Sequence, residues 1–242
     1  MNVRHERYDE QAARLHAFLK SDVRYDQSLL PRPFFIEFTG SPSSGKTTSI
    51  KSLDTFLRRH DFRVFCPQEG AEVIRHVSRS TPLYNIRTGL YALEMLIDLS
   101  QGHQYDMVIF DRCVFDAYSW MMYWQEKGKL TDADRSLIQN FFLLPYWMNQ
   151  IDLAYVFTCD PLVATTREDR LSLTNRPSEM TNPQTIGVLV DRYNRAFSQL
   201  KDGFPQLRLV DTTSLSEVEM LETVTGEVLT VLEKKAALCS AV

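Results

Sequence analysis

Long apolar runs are missing from this sequence of 242 residues. No stretch approaches the ~18 apolar residues that a membrane-spanning helix needs, so no helical span is expected. The opening segment Met1-Asn2-Val3-Arg4-His5-Glu6-Arg7 is charged and lacks the apolar core of a signal peptide. Cysteine is scarce. Cys66, Cys113, Cys159 and Cys239 show no C-x-x-C spacing, which argues against a zinc ribbon or a redox pair. They read as reduced, mostly buried thiols of a cytoplasmic protein. The five histidines contain no H-E-x-x-H or other ligand spacing and receive no role. A basic excess is absent too: 27 Lys and Arg face 31 Asp and Glu, for a net charge of -4. That removes the electrostatic footprint of a long nucleic-acid partner, though not a small anion in a local basic pocket. There is no internal repeat and no low-complexity segment. With 44% hydrophobic and 24% charged residues, the length suits one large α/β domain, or one with an appended segment.

What the sequence does hold is Gly40-Ser41-Pro42-Ser43-Ser44-Gly45-Lys46-Thr47, which meets the pattern G-x-x-x-x-G-K-[ST] at every fixed position. The apolar run Phe34-Phe35-Ile36-Glu37-Phe38 precedes it and predicts a buried strand. A helical pattern with Ile50, Leu53, Phe56 and Leu57 on one face follows. Strand, glycine loop and helix is the arrangement that points backbone N–H groups at phosphate oxygens. Gly40, Ser43, Ser44, Gly45, Lys46, Thr47 and Thr48 are therefore candidate nucleotide-binding residues, with Lys46 at the β- and γ-phosphates and the Thr47 hydroxyl on Mg²⁺.

Further apolar runs near 63–66, 107–110, 153–158 and 207–210 alternate with helical patterns over 70–78, 84–101, 114–127, 132–149, 161 onward, 184–200 and 216–235. Five short strands between helices predict a parallel sheet covered on both faces, an α/β three-layer sandwich. Acidic residues close two of the strands. Asp111 ends the third and is a candidate metal-supporting group, and Arg112 beside it suits an acceptor or a moving phosphoryl group. Glu69 follows the second strand, where a carboxylate can take a proton from an acceptor hydroxyl or simply cap the next helix. After the fourth strand Arg167 and Arg170 share a helix face, with Arg176 beyond, and suggest a lid over the phosphates. Tyr84, Arg87, Tyr91, Asp116 and Tyr118 are the candidate acceptor-binding residues. Most of the aromatic group Phe115, Tyr118, Trp120, Tyr123 and Trp124 is expected in the core.

Together these features resemble the deoxynucleoside kinase and thymidylate kinase branch of the phosphate-loop kinases. The segment Phe110-Asp111-Arg112-Cys113-Val114-Phe115-Asp116 is similar to the acidic-Arg motif of those families, and Tyr155 to Pro161, running on to Arg167 and Arg170, is similar to their fourth strand and lid. Val210-Asp211-Thr212-Thr213 resembles the turn that borders adenine. The resemblance implies a phosphate-loop kinase domain over 34–236 and a helical lid near 165–182, and the helical pattern with Leu15, Phe18 and Leu19 before the Pro31-Arg32-Pro33 break predicts an N-terminal helical extension over 1–33 that those families lack. The resemblance also implies ATP and Mg²⁺, a nucleoside or nucleoside monophosphate acceptor, and Glu69, Arg112, Lys46, Arg167 and Arg170 in the chemistry. A homodimer is left open. Gly70-Ala71 after Glu69 stands where these families usually carry a Pro, and is also similar to small-molecule kinases such as ribosylnicotinamide kinases. A regulatory nucleotide switch or ATPase is the other class, but the chain has neither the N-K-x-D nor the D-x-x-G motif of a GTPase.

Overall fold

The computed structural model describes residues 3–20, 30–171 and 182–239. Helix α1 (Val3–Leu19) precedes strand β1 (Phe34–Gly40), and α2 (Lys46–Arg59) follows it. Next come β2 (Val64–Phe65), α3 (Gly70–Val73), α4 (Pro82–Ser100) and β3 (Met107–Asp111). Helices α5 (Val114–Glu126), α6 (Asp132–Phe142) and α7 (Pro145–Met148) lead to β4 (Ile151–Thr158). Then α8 (Pro161–Leu171), α9 (Pro183–Leu200), β5 (Leu207–Asp211) and α10 (Glu217–Cys239) complete the order. The strands form one parallel sheet in the order β2-β3-β1-β4-β5.

The central strand explains the layers. Every residue of β1 is buried, as expected of a parallel strand covered on both faces. Side chains alternate along it. Phe34, Ile36 and Phe38 join the core built with α1, α2 and α10, while Phe35 joins the core of α4, α5 and α9. Glu37 and Thr39 share the parity of Phe35, so two polar side chains point at the α5 face.

Most boundaries fall within a few residues of the expected ones. The helix expected over 132–149 is two helices, because Pro145 has no N–H to continue the ladder and starts α7 at its first turn. The stretch expected to be helical over 70–78 is helical only from Gly70 to Val73. The N-terminal helix α1 packs into the domain. Ala12, Leu15 and Leu19 are buried in the same core as Phe34, and Gln11 and Arg14 bond Glu233 of α10. Of the segment expected to form a lid, residues 172–181, including Arg176, lie outside the described residues.

Candidate active site

The loop after β1 turns sharply at Gly40, whose φ is 131°. A Cβ there would stand 1.9 Å from the Phe157 carbonyl oxygen of β4. No L side chain fits, so Gly40→Ala is expected to destabilise the protein by about 3 kcal/mol or more. A urea midpoint unchanged from wild type would contradict it. Gly45 also takes a left-handed φ of 92° and starts α2. The Lys46 side chain turns back into the loop, donating to the carbonyls of Gly40 at 3.2 Å and Ser41 at 2.7 Å. Burial, then the neighbouring Arg112, pulls the Lys46 ammonium down to about 7, while Asp111, Asp116 and Glu69 oppose the shift.

Asp111 ends β3 beside the loop. Its Oδ2 is 3.4 Å from Thr47 Oγ1, and its Oδ1 is buried without a partner among the described residues. Ser41 Oγ is a second orphan. Unspent buried oxygens at the mouth of a helix N-terminus fit a magnesium–triphosphate unit. Among the described residues no cluster of three His, Cys, Asp or Glu forms a closed metal cage. That suits an ion held by one carboxylate, one hydroxyl and phosphate oxygens.

Arg112 is the hinge between this loop and a second region. It has a left-handed φ of 70°, rare outside glycine, and its N–H is fixed to the Phe38 carbonyl at 2.8 Å. Its Nε pairs with Glu69 at 2.9 Å, and its Nη1 reaches Asp116 Oδ1 at 2.8 Å and Tyr193 Oη at 3.1 Å. Asp116 Oδ1 also accepts from Thr39 at 2.6 Å and from Tyr193 at 2.8 Å. Glu69 occupies the position before α3 but its carboxylate does not cap that helix. It is committed to Arg112. Burial raises its pKa, Arg112 lowers it, and Asp111 and Asp116 raise it further.

What holds Asp116 and the start of α5 in place is Glu37, which carried no role in the sequence reading. It is fully buried and accepts from the N–H groups of Cys113 at 2.9 Å, Phe115 at 3.2 Å and Asp116 at 3.0 Å. A carboxylate thus closes the N-terminus of α5 from the central strand. Burial pushes it up to about 7, against those three bonds. The signal was available: one charged residue in the middle of an otherwise apolar strand.

Beyond Arg112 opens a cavity of about 570 Å³, the size of a small-molecule site. Glu69, Arg112 and Asp116 form one end. Trp120, Tyr123 and Trp124 continue the wall along α5, and Tyr84, Asn85 and Thr88 of α4 face them. Expected acceptor residues Tyr84 and Asp116 line it. Arg87, Tyr91 and Tyr118 do not. Each helical residue turns about 100°, and these three leave the lining stripe. Tyr118 is a core residue whose hydroxyl bonds Gln199 at 3.0 Å. Of the aromatic group expected mostly in the core, Phe115, Tyr118 and Trp124 are buried, and Trp120, Tyr123 and Trp124 line the cavity.

The lid arginines divide. Arg167 is spent on the turn after β5, donating to the Thr212 carbonyl at 2.7 Å and to Thr212 Oγ1 at 3.1 Å. It ties α8 to that turn. The Arg170 side chain lies outside the described residues. From α8 it is Glu168 that reaches the loop, accepting from Ser43 Oγ at 2.6 Å. Thr212 Oγ1 in turn bonds the Ser44 carbonyl at 3.0 Å. Asp211 closes its own turn, accepting from the Thr213 N–H at 2.9 Å. Thr48 is exposed on α2.

Residues 35–192 match the family model of the AAA domain. No curated protein matches the sequence. Among solved structures, the deoxyadenosine kinase of M. mycoides with bound dCTP superposes with a TM-score of 0.53 at 15% identity, over 81% of this chain and 100% of that one. The thymidylate kinase of Candida albicans gives 0.52 at 14% identity, over 85% of this chain and 94% of that one. The expected likeness to this branch is present as a likeness of fold.

Proposed function

The chain belongs to the AAA domain family, and we propose that within it the protein is an ATP-dependent phosphotransferase acting on a nucleoside or nucleoside monophosphate. The observation that carries the reading is the Glu69–Arg112 pair, 2.9 Å apart, between a phosphate loop and an aromatic-walled cavity. A switch or ATPase needs the loop but not a second, small-molecule-sized cavity sharing its edge.

In this reading Gly40 to Thr48 wrap the triphosphate, while Thr47 and Asp111 hold Mg²⁺. When bound, the metal neutralises charge on the phosphate oxygens. Lys46 leaves the Gly40 and Ser41 carbonyls for the phosphates. Glu69, with its raised pKa, takes the proton of an acceptor hydroxyl, and Arg112 holds that hydroxyl or an acceptor phosphate. The domain is taken as residues 34–236, with α8 in the lid. No helix among the described residues is long and apolar enough to cross a membrane.

A thermal-shift screen of nucleosides and 5′-monophosphates, with and without Mg-ATP, tests this. Mg-ATP alone should raise Tm, and one acceptor class should raise it further. A ligand at a hundred times its Kd contributes about 2.7 kcal/mol. No response to Mg-ATP, or none to any acceptor, would overturn the assignment.

A further inference from the structure

The floor of the cavity contains polar groups whose hydrogen-bonding capacity is only partly spent. Asn85 is 6% exposed and Trp124 is 4% exposed. The Trp124 indole N–H donates to Asn85 Oδ1 at 2.8 Å. An indole nitrogen can only donate, so the Asn85 amide has one possible orientation: oxygen toward Trp124, NH₂ toward the cavity it lines. The neighbouring Thr88 hydroxyl is already committed to the Asn85 backbone carbonyl at 3.1 Å. Tyr84, 8% exposed, presents a buried hydroxyl with no partner among the described residues. At the rim stand Arg79, Lys127 and Lys129, donors without exception. Among the described lining residues the carboxylates are Glu69 and Asp116, both around Arg112. The described lining is therefore uneven, with the carboxylates gathered at the Arg112 end and the Asn85 NH₂, the Tyr84 hydroxyl and three cations along the rest.

Resting on the nucleoside reading above, we propose that Asn85, fixed by Trp124, determines acceptor specificity. It presents N–H donors to the buried edge of the acceptor ring and so selects an oxo group over an amino group. An amino group there would set donor against donor and leave both unpaired in a dry pocket, which costs more than a missing contact. The aromatic wall holds the ring by stacking and carries no such discrimination.

Matched pairs test this by calorimetry without turnover: thymidine against deoxycytidine and inosine against adenosine, each as nucleoside and as 5′-monophosphate. Wild type should bind the oxo members roughly 10- to 100-fold more tightly. Asn85→Asp keeps an oxygen for the Trp124 indole and replaces the NH₂ by an acceptor, so the preference should reverse. Trp124→Phe keeps a ring in the wall and frees the amide to rotate, so the preference should shrink toward equality. Stabilisation by Mg-ATP checks that each variant is folded. Equal affinities for oxo and amino members in wild type, or an unchanged preference in both variants, would overturn the role of Asn85 and leave the phosphotransferase reading standing. If Mg-ATP binds but no member of the panel does, the nucleoside reading itself falls, and this inference falls with it.

Discussion

Lys46→Ala is expected to abolish phosphoryl transfer while the protein stays folded. The ammonium is buried and bonded only to two loop carbonyls, so its task is charge and not packing. Losing a phosphate clamp should cost about 3–5 kcal/mol of transition-state stabilisation, roughly 10²- to 10⁴-fold in turnover. Steady-state rates within threefold of wild type would refute it. A second readout follows from the depressed pKa. The folded value, about 7, lies below the ordinary lysine value of 10.5, so between these limits the unfolded chain binds the extra proton. Stability from this group therefore increases as pH rises above about 7. Tm measured from pH 6.5 to 9 should show that gain in wild type and lose it in Lys46→Ala. Above pH 7, nucleotide binding should also take up a proton, visible as a buffer-dependent enthalpy that the variant lacks.

Glu69→Gln divides the two acceptor classes. A hydroxyl acceptor has a proton to lose, and a base at this position should contribute roughly 10²- to 10⁴-fold to turnover. A monophosphate is already anionic, so the loss should then be small and Arg112→Lys should be the damaging change. We expect the larger loss in Glu69→Gln. The carboxylate has a raised pKa, faces the cavity and spends nothing on capping α3. Turnover of both variants on nucleosides and monophosphates decides the matter. Near-wild-type rates for both on every active acceptor would remove both roles.

The phosphate half of the site was legible because its chemistry is local. Gly40, Gly45, Lys46 and Thr47 lie within eight residues, and the strand and helix around them announce themselves by period. Asp111 and Glu69 were legible as acidic residues closing strands. The acceptor half was not, because its walls come from α4, α5 and α9, and their mutual rotation is fixed by packing. Tyr84 and Tyr118 look equivalent in sequence, yet one lines the cavity and the other is core. Arg167 and Arg170 share a helix face in sequence, while the contact of Arg167 with Thr212, forty-five positions away in the turn after β5, has no local signal. Glu37 was visible as a charge out of place, but its three backbone partners lie on another strand's exit.

Strand β1 carries Glu37, Thr39 and Gly40 within four residues, and each grips a different part of the site. Glu37 holds the head of α5, Thr39 bonds Asp116, and Gly40 opens the phosphate loop. The spacing between the phosphate loop and the cavity is thus set by the rigid repeat of one central strand, about 3.3 Å per residue, and not by loops. The head of α5 cannot fray by itself, because its N–H groups are tied to the centre of the sheet. In hydrogen exchange, the amides of Cys113, Phe115 and Asp116 are expected in the slowest class, and exchange of these amides ahead of the β1 amides would contradict it. A helix N-terminus is ordinarily among the first places to exchange. Here the site's alignment lasts as long as the fold does.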